Sequence, residues 1–209
     1  MISFAVVAHI DRIVQATELA RTLGAVIALD DGSKGAGANH LEAWRLTNGL
    51  ETEWAAVLED DAQPVPGFTQ QAEQALAAAP EPVVSLYLGR TRPVRWQDRI
   101  SRALVRIDER DPHWLTCTHL LHAVAVAIHT DLRGDWLDFA TDNTLPPDER
   151  MTAWCIARGH TVAYSWPSLV QHADGPTLVE HSNTGNTTAP RIAWRTGTRH
   201  VWTPTSTPM

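Results

Sequence analysis

Trp54-Ala55-Ala56-Val57-Leu58-Glu59-Asp60-Asp61 is the stretch whose reading decides the fold. Its five leading residues are apolar, and Gln63-Pro64-Val65-Pro66-Gly67 beyond it is rich in turn formers. A short apolar run bounded by such a turn reads as a buried strand. Three carboxylates at its C-terminal end repel one another and are costly to desolvate. A divalent cation relieves that conflict, because hard oxygen ligands suit Mg²⁺ or Mn²⁺. An acidic surface turn is the plainer alternative, and the neighbouring sequence decides against it.

Upstream, residues 2–8 form an apolar strand candidate that ends in His9-Ile10-Asp11-Arg12. Ile13, Ala16, Thr17, Ala20 and Leu23 then recur at helical spacing, with Gly24 as the stop. Residues 25–29 make a second strand that closes on Asp30-Asp31-Gly32, and Asn39 opens a helix carrying Leu41 and Trp44, with Asn48-Gly49 as its stop. Strand, helix, strand, helix, strand predicts half of a doubly wound parallel sheet. Downstream, a helix over 68–79, a strand over 83–88, a strand over 120–129, a short helix near 131–139, a helix that Pro146-Pro147-Asp148-Glu149 opens and that runs through Arg158, and a last strand over 161–166 continue the pattern. The expected fold is therefore α/β: one Rossmann-like domain over residues 1–180, its mostly parallel sheet flanked by helices. Residues 181–209 are expected to form a loop-rich arm, since the tail lacks periodicity.

Composition limits the function classes. The chain has 209 residues, a net charge of −7 and no apolar run long enough for a membrane span. Its start lacks a basic leader, so the expectation is a cytoplasmic protein. Cys117 and Cys155 are too few for a disulfide framework or a cysteine-based zinc site. The negative charge argues against a polyanion-binding protein as a whole. Seven arginines nevertheless fall between Arg90 and Arg110, a stripe suited to phosphate, to an acidic partner or simply to solvent.

Three strand ends thus carry polar groups, and parallel strands bring such ends to one edge. Here the chain resembles the nucleotide-sugar glycosyltransferases of the GT-A fold, in which an acid-x-acid motif ends a central strand and binds a metal–diphosphate. Glu59-Asp60-Asp61 matches that motif. The resemblance implies Asp61 as direct metal ligand, Glu59 as helper, and Asp60 beside the donor. It also implies that Ala8, His9, Arg12 and Asp30 meet the nucleoside, and that Asn39 and Arg45 lie near the diphosphate.

Two later segments extend the likeness. Pro147-Asp148-Glu149, followed by Gly159, is similar to the helix that carries the catalytic base in inverting members. Asp148 aligns with that base, Glu149 competes with it, and a helix-dipole role accounts for both acids without chemistry. Pro167-Ser168-Leu169-Val170-Gln171-His172 is similar to the segment whose histidine completes the metal site, including in branching N-acetylglucosaminyltransferases. His172 takes that place, with His181 as fallback, and an imidazole ligand favours Mn²⁺ over Mg²⁺. Trp154 is the candidate acceptor-side aromatic.

Val57-Leu58-Glu59-Asp60-Asp61-Ala62 most resembles the lipooligosaccharide-type galactosyltransferases. The implied activity is metal-dependent sugar transfer from a nucleoside-diphosphate sugar to an acceptor hydroxyl, with inversion. For the acceptor, the arginine stripe permits a nucleic acid, yet the net charge of −7 favours a protein or glycan. A nucleotidyltransferase and a non-catalytic nucleotide- or carbohydrate-binding module are the alternatives.

Overall fold

The computed structural model describes residues 1–47, 52–173 and 189–209, and the side chains of 108–110 are excluded from that description. The Asn48-Gly49 helix stop and His181 lie outside the described residues. Strands β1 (Ile2–His9), β2 (Val26–Asp30) and β3 (Trp54–Glu59) form the parallel set that the acidic run implied. A 3-10 turn (Ile10–Arg12) leads from β1 into α1 (Ile13–Leu23), and α2 (Ala36–Leu46) follows β2. After β3 come β4 (Ala62–Pro64), α3 (Phe68–Ala77), β5 (Val83–Ser85), α4 (Val94–Arg110) and β6 (Trp114–Cys117). The chain continues through β7 (Ala125–His129), α5 (Thr130–Thr141), α6 (Pro147–Arg158), β8 (Val162–Ser165), β9 (Val170–His172) and β10 (Ser206–Pro208).

Eight strands form one sheet in the order β10-β6-β8-β5-β7-β3-β1-β2, and β4 pairs with β9 in a small second sheet. The central strands are continuous apolar runs because both faces are covered. Phe4, Val6 and Ala8 point to the side of α1 and α3, whereas Ala5 and Val7 point to the side of α2, α4, α5 and α6. Trp54, Ala56 and Leu58 alternate with Ala55 and Val57 in the same way. Strand period two thus feeds two cores from each strand.

The sheet is mostly parallel but not a doubly wound repeat. β7 runs antiparallel between β3 and β5, and β6 runs antiparallel to β8. The strand expected over 120–129 begins only at Ala125. Upstream, side chains take the backbone donors: Leu120 N–H donates to Thr152 Oγ1 (2.9 Å) and Leu121 N–H to the Tyr164 hydroxyl (2.8 Å). The arginine-rich insert is a helix. Trp96, Ile100, Ala103 and Ile107 recur at helical spacing and are buried, a pattern that the surrounding charge conceals in the sequence.

The described part of the tail joins the body. Residues 206–208 pair in parallel with β6 and extend the main sheet by one strand. Trp202 is 7% exposed, lies 5.3 Å from the Trp114 ring centroid and donates to Gln71 Oε1 (3.3 Å). Trp202→Ala is expected to cost about 3–5 kcal/mol and to lower the melting temperature by on the order of 10 °C. Calorimetry checks this, and an unchanged melting temperature contradicts the tail's role in the core.

Candidate metal and donor site

The end of β3 is built by cross-chain hydrogen bonds. Asp60 is buried and turns toward β1, where its Oδ2 accepts from the His9 N–H (2.9 Å). Arg12 Nη1 bridges Asp60 Oδ1 (3.0 Å) and Asp61 Oδ2 (2.6 Å). One guanidinium therefore holds two carboxylates that repel each other. Asp60 is a brace for the turn after β1, fixing His9 and Arg12, while the Ala8 carbonyl at the strand end accepts from Asn39. His9 spends its own ring locally, Nδ1 accepting from the Asp11 N–H (3.2 Å).

Glu59 and Asp61 lie two residues apart, and β9 closes the group. Ala62 pairs with His172 across the small sheet, and the Ala173 N–H donates to the Asp61 carbonyl (2.9 Å). This pairing sets His172 Nε2 3.4 Å from Asp61 Oδ2. One ligand atom each from Glu59, Asp61 and His172 fall within 4.8 Å of one another. Arg12 occupies Asp61 Oδ2, while Asp61 Oδ1 and His172 Nδ1 are buried without a hydrogen-bond partner. Two carboxylates, an imidazole and an orphaned carboxylate oxygen fit a borderline-hard divalent ion such as Mn²⁺.

The electrostatics divide the two acids. Burial pushes the Asp61 carboxyl up, the Glu59 charge adds to this, and His172 and Arg12 oppose it. Burial also acts on Glu59, yet its hydrogen bond to His40 and the fields of His172 and His122 leave it below the usual carboxylate range. Glu59 is thus ionised in the free protein, and Asp61 gains most from a neighbouring cation.

His40 and His122 are the participants that sequence reading missed. His40 Nε2 stands 3.2 Å from Glu59 Oε1, from the buried face of α2 that also carries Ala43, Trp44 and Thr47. The spacing of 40, 43, 44 and 47 is the signal that could have found it. His122 stands with its ring 5.1 Å from that of Tyr87, and a side chain at Gly89 would collide with its Nε2. Nothing in the apolar run around His122 announces it.

Asp148 stands at the start of α6, beyond Pro147 at the first helical position. Its carboxyl is raised by burial and by the charges of Glu59 and Glu149, so it belongs to the same electrostatic environment as the triad. Glu149 is exposed. Buried Arg150 holds this helix start against α2, donating to the carbonyls of Leu145 (2.9 Å) and Gly37 (3.4 Å).

Four expected residues are placed otherwise. Asp30 folds its own loop: its oxygens accept from the N–H groups of Gly32, Lys34 and Gly35 at 2.9, 3.0 and 2.8 Å. Buried Asn39 ties β1 to β2 by donating to the carbonyls of Ala8 (3.0 Å) and Ala28 (3.1 Å). Arg45 is exposed near the far end of α2 and donates to Thr141 Oγ1 (3.2 Å), away from the triad. Trp154 is fully buried and donates to Asp135 Oδ2 (2.7 Å), so it is core and not an acceptor platform. Its helical spacing from Asp148 turns it toward Trp136.

A groove of about 1100 Å³ opens beside Arg12, Asp60 and Asp61, between α1 and the segment joining β4 to α3. Among the described residues no helix is long and apolar enough to cross a membrane. No known family model matches the sequence, and no curated protein matches it significantly.

Burial pushes the His122 imidazole down to about 4, with the Glu59 charge opposing. In the unfolded chain the group titrates near ~6.5, so that state binds more protons between these values. Its stabilising contribution is complete above the unfolded pKa and lost as pH falls through the folded one. Metal-free protein should lose about 3 kcal/mol from this group on acidification. Denaturant titrations at each pH check this: the wild-type profile should fall more steeply than that of His122→Asn, and parallel profiles contradict it.

Proposed function

We propose that this chain is a divalent-metal-dependent glycosyltransferase that moves a sugar from a nucleoside-diphosphate sugar to an acceptor hydroxyl, with inversion. The observation that carries the reading is the convergence of Glu59, Asp61 and His172 at the carboxyl end of a central strand. Ligands of open α/β sheets bind at such ends. The adjoining groove is large enough for a nucleotide-sized ligand.

In this reading Asp61, Glu59 and His172 hold Mn²⁺ or Mg²⁺, which when bound neutralises charge developing on the leaving diphosphate. Arg12, already aligned by Asp60, adds fixed positive charge on the same side. The 8–12 turn lines the donor's nucleoside side. Asp148 accepts the acceptor hydroxyl's proton while the acceptor oxygen forms its bond to the sugar carbon. The bond from that carbon to the diphosphate breaks, and its electron pair leaves with the diphosphate. A carboxyl raised by burial suits a proton acceptor working near neutrality.

Asp61→Asn removes the ligand charge and keeps the shape. It is expected to abolish Mn²⁺-dependent release of nucleoside diphosphate from a panel of nucleotide sugars, a loss of at least about 100-fold. The thermal shift that Mn²⁺ gives the wild type should vanish with it. Undiminished release by the variant, or release unaffected by chelation, overturns the metal role. Binding of a nucleotide sugar without any release identifies a binding module instead.

A further inference from the structure

The arginine stripe has no part in the site above, and its geometry is specific. Arg95, Arg99, Arg102 and Arg106 are exposed on α4 and follow one another at intervals of four, three and four residues. Such spacing aligns them in one row along about 16 Å of helix axis. Among the described residues none of the four has a carboxylate within ion-pair distance, although the chain as a whole carries a net charge of −7. The row is pre-organised: Arg99 lies over the Trp96 ring at 5.1 Å, and Arg106 donates to the Pro208 carbonyl at 2.7 Å. Guanidiniums in a row on one helix, with no carboxylate partner among the described residues, present a linear cationic surface.

We infer that the α4 arginine row is a docking surface for the phosphate backbone of a nucleic acid. The row's length spans about five phosphates of one strand, each advancing ~3.4 Å along a duplex. Guanidinium also suits bidentate contact with phosphate oxygens better than an ammonium does. An anionic membrane is the lesser fit. Beside the row, Val94 and Val105 are exposed, but Asp98 and Ser101 stand between them, so the face offers a bilayer a carboxylate and no continuous apolar stripe. The surface also adjoins the metal site's surroundings: the Arg92 backbone just before α4 makes a hydrogen bond with the His122 ring.

Fluorescence anisotropy with labelled DNA of about 20 base pairs, in chelator and without nucleotide sugar, tests the surface independently of sugar transfer. Four phosphate contacts predict that affinity falls on the order of 100-fold between about 50 and about 200 mM salt. Arg95→Gln/Arg102→Gln should weaken binding about tenfold or more and flatten the salt slope by about two contacts. Neither side chain is buried, so the variant should keep its melting temperature. Arg21→Gln, an exposed arginine on α1, should bind as the wild type does. Absence of DNA binding at low salt, equal binding by the double variant, or binding to phosphatidylserine vesicles but not to DNA each overturns the assignment. Asp61→Asn should bind DNA normally, so failure of the transfer reading leaves this result standing.

Discussion

One guanidinium holds the end of the central strand together. Asp60 and Asp61 are adjacent carboxylates withdrawn from solvent, and Arg12 reaches both from the turn after β1. Without that cation their repulsion and desolvation would oppose closure of the β1–β3 edge. With it, the turn, the first helix and the acidic strand end become one unit. The remaining oxygen of Asp61, Oδ1, is buried with no proton donor of its own, while Oδ2 is shared by Arg12 and the nearby His172 ring. The clamp therefore supports the fold and leaves one carboxylate oxygen of Asp61 without a partner.

That arrangement explains why the strand ends were legible before any coordinates, while the contacts that hold each acid were not. An apolar run followed by acids has few meanings, and its place at a parallel edge follows from the alternation of strands and helices. The helix opening at Pro147 and closing at Gly159 was equally plain, since both residues carry backbone signals. Which acid braces and which is left for a ligand depends on a contact between residues 12 and 60, and no local pattern encodes it. Asp30 and Asn39 show the same limit. Their residue types suit a polar site, yet each spends its hydrogen bonds on the backbone that shapes the edge.

The segments that the sequence left unread or misassigned each have their own physical cause. Helix α4 carries its apolar residues at correct spacing, but the arginines between them lower the mean hydropathy of the stretch. The tail lacks periodicity because Trp202 and Thr207 are single anchors between loops and not one face of an element. β7 has the composition of a parallel strand, yet it runs antiparallel to both β3 and β5, a direction that composition does not carry.

The three-residue strand β10 is the outermost strand of the main sheet beside β6. A bare β6 would present unpaired backbone groups, a template for another chain's strand. In its place the sheet ends on a segment containing Pro208, which has no N–H to offer. The tail thus covers the backbone edge of β6 on the flank where Arg106 of α4 reaches the Pro208 carbonyl.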